Sequence, residues 1–154
     1  MGMDVYGKNA TTEKGEYFRN NVWWWHPLWD YCCEVYPPCR EISGHTNDGH
    51  GLDDMEAKEL SEILLREMRE GRTAEYERSY MAELEALPRV QCEICKGTGQ
   101  REDGYFGVEW KQKGCNGCNG EGTKKAFATS YPFSVENVKE FAEFLADSGG
   151  FEIC

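Results

Sequence analysis

The sequence predicts an α+β protein: a small sheet with several packed helices and a zinc-ribbon-like β-hairpin insertion. Three observations predict it. Short segments of alternating type stand at the two ends of the chain, "MDVYG" and "FEIC". Between them run stretches whose apolar residues recur every three to four positions, the period of an amphipathic helix. Residues 90–123 then change character and become rich in Gly and Cys. At 154 residues, a single domain over 1–154 is the default, with 90–123 a zinc-binding insertion inside it.

Each element follows from its residues. Residues 3–6 read as a strand with Met3 and Val5 on one face and Asp4 and Tyr6 on the other. "EYFRNNVWWW" reads as a helix, which Pro27 kinks or restarts because proline lacks the amide donor but suits a first helical turn. "PLWDYCCEVY" continues it until Pro37 and Pro38 stop it, and "SGHTNDGHG" is a loop. Asp53 with Glu56 three residues on forms a capping box, and Gly71 is a natural stop. Between them Leu60, Leu64 and Met68 make an apolar stripe flanked by Ile63. Thr73 is the expected cap of the next helix, where Tyr76, Tyr80, Leu84 and Leu87 repeat at helical spacing until Pro88. "YFGVEW" reads as part of a β-hairpin and "KKAFATSYPF" as a strand. Ser134 caps a last helix that turns Val138, Phe141, Ala142 and Leu145 inward. "GG" ends it before the terminal strand, which is expected to share a sheet with the first, since isolated strands do not stand alone.

Composition excludes several classes. Lys and Arg number 17 against 28 Asp and Glu, a net charge of −11. Double-stranded nucleic acid is thus not an expected partner, because its phosphates would be repelled. The N-terminal segment has no apolar run of the secretory kind, and nothing approaches the ~18 apolar residues of a membrane span. A cytoplasmic location follows as the expectation. In a reducing cytoplasm eight cysteines point to metal binding rather than to disulfides.

"CEICKGTG" and "CNGCNGEG" are one motif twice, Cys-x-x-Cys-x-Gly-x-Gly, with nineteen residues between Cys95 and Cys115. That spacing is the one expected of a four-cysteine zinc site formed by Cys92, Cys95, Cys115 and Cys118. Two residues between cysteines make a tight turn that aims both sulfurs at one ion. The glycines supply the positive φ and close approach that such knuckles need, and backbone amides there can donate to the sulfurs. Four thiolates leave no open coordination position, so one structural zinc is expected and no catalytic one. An iron–sulfur site or a redox pair is the other use of such a motif.

These residues resemble the cysteine-rich zinc region of the DnaJ co-chaperones. Cys92, Cys95, Gly97 and Gly99 match one of its repeats, and Cys115, Cys118, Gly120 and Gly122 another. That family carries four repeats and two zincs; two repeats here imply one zinc. The chain has no J domain and no His-Pro-Asp tripeptide, so the resemblance implies metal geometry. A DnaJ-like adaptor binding hydrophobic peptides stands as an alternative function.

The other cysteines, Cys32, Cys33, Cys39 and Cys154, read as ordinary thiols, although Cys39 with His45 or His50 is a conceivable second metal pair. "GHTNDGHGLDD" gathers His45, Asn47, Asp48, His50 and Asp53. A metal-dependent hydrolase centred on His45–Asp53 is the enzymatic alternative. The plainer reading gives Asn47-Asp48-Gly49 a turn and Asp53 a cap. No other catalytic signature is present, and no catalytic residue is assigned.

"NNVWWWHPLWD" remains. Helical neighbours stand about 100° apart, so one stripe cannot bury three consecutive tryptophans. Trp25 and Trp29, one turn apart, are expected in the core. Trp23 or Trp24 is expected to line a groove open to solvent, and with Arg19, Asn20 and His26 these residues form the candidate ligand-binding surface. Flat indoles there can stack a base or cradle a peptide side chain. The plainer reading packs all of them under the sheet or the ribbon.

"MGMDVYG", "YFRNNVWWWHPLWDYCCEV", "YPFSVENVKEFAEFLADSGGFEIC" and the paired cysteine motifs together resemble a family of small phage, prophage and bacterial proteins. The resemblance implies the cytoplasm of a phage-infected cell. The function expected on these grounds is a non-enzymatic, zinc-stabilised binding protein. It would act against host defence by sequestering a small nucleotide signal or by blocking a host immune protein.

Overall fold

A computed structural model describes residues 2–101 and 114–154. The chain divides into two compact units, Met1–Ala82 with Ser130–Cys154, and Glu83–Thr129. Among the described residues the elements have the predicted α+β character: four helices, a three-stranded sheet and a two-stranded ribbon.

In the first unit, strand β1 (Gly2–Gly7) lies at the centre of an antiparallel sheet between β2 (Tyr17–Asn21) and β5 (Phe151–Ile153). Val5 is paired with Phe18 on one side and Ile153 on the other, so the two chain ends share one sheet as expected. Residues 49–52 run along the outer edge of β5, where Gly49 N–H donates to Ile153 O at 2.8 Å and Phe151 N–H to Leu52 O at 3.0 Å. Met3, Val5, Phe18, Phe151 and Ile153 face the core; Tyr6 and Tyr17 stand on the opposite, open face.

Residues 16–21 correct the helical expectation: β2 occupies most of them. The physical reason is period two. Phe18 and Asn20 turn inward while Tyr17, Arg19 and Asn21 turn outward, and each finds a partner on β1. Helix α1 (Val22–Val35) then starts directly, capped by Asn21, whose side chain accepts from Trp24 N–H at 3.1 Å. It runs unbroken through Pro27, which is buried. One missing backbone bond is offset there by the burial of Trp25, Leu28 and Trp29 around it. Trp25 and Trp29 stack at 5.6 Å with nearly parallel rings, and Trp25 Nε1 donates to Gly44 O at 2.7 Å.

Helix α2 (Asp54–Arg69) begins on the complete Asp53–Glu56 capping box. It packs against α4 (Val135–Asp147) closely enough for Ser61 Oγ to donate to Ala142 O at 2.7 Å. Ser134 caps α4. Helix α3 (Arg72–Ala86) starts two residues earlier than a Thr73 cap would set, which puts Thr73 inside it. Thr73 is buried and shares a 2.9 Å hydrogen bond with Tyr31, so its hydroxyl serves the core rather than a cap. Of the expected apolar stripe on α3, Tyr76 and Tyr80 reach the core, while Leu87, beyond the helix end, is exposed.

In the second unit, β3 (Val90–Gln91) pairs with β4 (Thr123–Lys124) and closes the base of the cysteine-rich segment. The strand expected over 124–133 ends at Lys124 and gives way to a 3-10 turn at Phe127–Ser130. Only two residues find a ladder partner on β3, and Thr129 folds back to bond Ala126 O instead. "YFGVEW" lies outside the described residues.

Candidate metal centre and aromatic surface

The two cysteine motifs fold into knuckles related by a shift of 23 residues. Lys96 and Asn119 occupy the same left-handed position in each, at φ 51° and 53°. Cys92 N–H donates to Gly122 O at 2.9 Å, and its counterpart Cys115 N–H donates to Gly99 O at 2.7 Å. Gly99 and Gly122 are required as glycines. A Cβ on Gly99 would lie 2.4 Å from Gly120 O, and one on Gly122 2.4 Å from Gly97 O, with φ positive at both. The knuckles therefore interlock through backbone where no side chain fits.

All four sulfurs are buried and lie within 4.8 Å of one another. Cys92 and Cys115 stand 4.0 Å apart, Cys95 and Cys118 3.6 Å. Four ligands at a zinc–sulfur distance of about 2.3 Å form a tetrahedron with edges of about 3.8 Å, so the donor set fits a tetrahedral ion. Gly99 N–H donates to Cys95 Sγ at 3.3 Å, and Gly122 N–H to Cys118 Sγ at 3.1 Å. These amides favour thiolate over thiol. Burial opposes ionisation at Cys95, but the Gly99 amide and the Cys118 thiol overcome it and lower the thiol to about 7. Burial raises Cys118 to about 11, with its thiol neighbours adding to the rise. A bound cation would remove that conflict by holding all four sulfurs as thiolates and offsetting part of their charge. Among the described residues no other group of His, Cys, Asp or Glu converges in this way.

The other thiols are of a different kind. Burial pushes Cys32 and Cys39 well up, and Cys33 up to a lesser extent, so they stay protonated core thiols. The residues of the 45–53 loop do not converge on one another. His45 Nε2 lies 2.9 Å from Asp30 Oδ1, Asn47 donates to Gly2 O at 3.3 Å, and Asp53 is occupied by its cap.

The aromatic segment divides as the helical angle requires. Trp25 and Trp29 are buried, at 0% and 1% exposure, while Trp23 is 36% exposed and Trp24 is half-buried. Trp23 packs against the ring of Tyr131 at 4.9 Å, and His26 stacks on the same ring at 5.7 Å. Asn20 turns inward, where its amide donates to Asn137 Oδ1 at 2.6 Å; Asn137 in turn donates to Trp24 O at 3.3 Å. Arg19 stays on the open sheet face, 3.6 Å from Asp4. Trp23 and His26 thus converge, Asn20 and Trp24 meet at Asn137, and Arg19 stands apart from both groups. The missed members are Tyr131, Asn137 and the Asp30–His45 pair. Asp30 is legible in retrospect, one helical turn after His26; Tyr131, more than a hundred residues away, is not.

Compared with family models, curated proteins and solved structures, the chain finds no match. No helix among the described residues is long and apolar enough to cross a membrane.

Proposed function

We propose that this chain is a non-enzymatic binding protein of phage type, stabilised by one structural zinc ion on Cys92, Cys95, Cys115 and Cys118. The observation that carries the reading is the convergence of four buried thiols with two backbone amides aimed at their sulfurs. That donor set is soft, tetrahedral and closed, which suits zinc as a structural ion. The recognition surface is the exposed Trp23 with His26 beside Tyr131. An indole and a tyrosine ring in contact at the surface can stack a planar ligand, and a small nucleotide signal is the ligand class proposed.

Two measurements test this. Elemental analysis of protein purified anaerobically without chelator should return one zinc per chain; absence of zinc overturns the metal reading. Mass spectrometry of small molecules released from the purified protein, followed by titration of what is found, tests the surface. A nucleotide that binds wild type and loses affinity in Trp23→Ala supports it. Competition by unfolded peptides would favour the adaptor alternative.

A further inference from the structure

We propose a second, separate metal site for a divalent transition ion on His26, Asp30 and His45, in addition to the four-cysteine centre. His26 and Asp30 lie one turn apart on α1 and so share a helix face. His45 comes from the loop that Trp25 pins through Gly44. Three donors from two elements, two imidazoles and one carboxylate, are the set that borderline ions such as zinc, cobalt and nickel take.

The distances favour cis coordination. His45 Nε2 and Asp30 Oδ1 are 2.9 Å apart. Two ligand atoms about 2.1 Å from one ion at a right angle stand about 3.0 Å apart. The rings of His26 and His45 have centroids 4.6 Å apart and meet edge to face at 77°. With each ring centroid about 1.2 Å beyond its ligating nitrogen, two cis imidazoles on one ion have centroids about 4.7 Å apart. A hydrogen bond alone explains the first distance. The second is an edge-to-face ring contact, and it holds the two imidazoles where cis ligands of one ion would stand, with His45 opposing a positive charge on His26. An ion between them turns that opposition into attraction.

Coordination needs two adjustments. The hydrogen between His45 Nε2 and Asp30 gives way to the ion, leaving His45 protonated on Nδ1. His26 turns from its stack on Tyr131 to bring a nitrogen beside the other two donors, since its ring does not yet complete a cluster of the tightness the cysteines have. Asp30 and His45 are exposed on one side, which gives the ion its path in and leaves positions for water. The site is thus open where the cysteine site is closed.

The experiment uses the full chain with its cysteine centre loaded. Nickel or cobalt is added and binding is followed by equilibrium dialysis, alongside NMR of the three imidazoles on addition of diamagnetic zinc. Wild type should take up one further equivalent, and the His26 and His45 resonances should shift while His50 stays still as an internal control. Asp30→Asn, His45→Ala and His26→Ala should each weaken this second equivalent more than about 100-fold, since even changes outside the ligand set cost 10–100-fold. All three should keep the first. Near-ultraviolet circular dichroism of the Trp25–Trp29 pair confirms that each variant is folded. The proposal is overturned if wild type takes no second equivalent, if the three variants keep it, or if His50 shifts in place of His26 and His45. Loss of the first equivalent in Cys92→Ser with the second retained shows the two sites to be independent.

Discussion

The two units hold themselves together by different means. The first buries Trp25, Trp29, Phe141, Phe144, Phe151 and their neighbours in one continuous apolar core. Among the described residues of the second, the buried cluster consists of four cysteines, while Leu87, Val90, Ile94 and Phe127 are left outside. Charge divides the same way. Residues 83–129 contain seven acidic and seven basic residues, so the whole net charge of −11 belongs to the first unit. A hydrophobic core tolerates loss of any one contact in proportion to its area. A core held by the proposed ion would have a single centre, and what removes the ion would remove that core.

That contrast can be broken or sharpened experimentally, and the largest expected effect is on the metal. Chelation, or Cys92→Ser, should unfold the paired cysteine knuckles, because the proposed structural zinc would contribute on the order of 10 kcal/mol to such a module. The near-ultraviolet dichroism of the stacked tryptophans should survive. Loss of both signals together would show that the first unit depends on the second.

Trp25→Ala should cost about 3–5 kcal/mol in urea melts, the range for truncating a large buried aromatic, and should leave zinc content unchanged. Gly44→Ala is next. Its Cβ would fall 2.0 Å from Trp29 Cε2, and overpacking of this kind costs about 1–3 kcal/mol. Trp23→Ala should change stability by less than about 1 kcal/mol, as surface substitutions do. Its effect on nucleotide affinity should be about 1–3 kcal/mol, the range for base stacking. If Trp23→Ala unfolds the protein as Trp25→Ala does, Trp23 belongs to the core.

The smallest effect is on pH. Burial, then the neighbouring His45, holds His26 below its ordinary value of 6.5, against a smaller pull upward from Asp30. A base with a lowered folded pKa favours the neutral state. Its contribution is therefore present above the ordinary histidine range and is lost as pH falls below it. Melts at pH 7 and pH 5 should show a smaller difference in His26→Gln than in wild type.

What the sequence made legible was local. The Asp53–Glu56 box, the Ser134 cap and the inward stripe of α4 rest on neighbours within one helical turn, the doubled cysteine motif on a short pattern repeated once, and each holds in the structure. The Trp25–Trp29 pair holds for the same reason. What was missed depends on partners distant in sequence. Residues 17–21 contain both a strand alternation and the approach to a helix, and pairing with β1 decides between them. Thr73 looks like a cap until Tyr31 supplies a better bond. Tyr131, which joins Trp23 to His26, carries no signal of its own in the sequence.

The exchange of amide and carbonyl between the two knuckles has a consequence for how that region assembles. Neither motif supplies the acceptor for its own first cysteine: the amide of Cys92 donates to Gly122 O, and that of Cys115 to Gly99 O. A chain cut to one motif would have two sulfurs, an orphaned amide and half a coordination sphere. The region therefore has no stable halfway species, and its metal uptake should be all-or-none even when ion is scarce. A starved population would hold fully loaded and fully empty chains side by side.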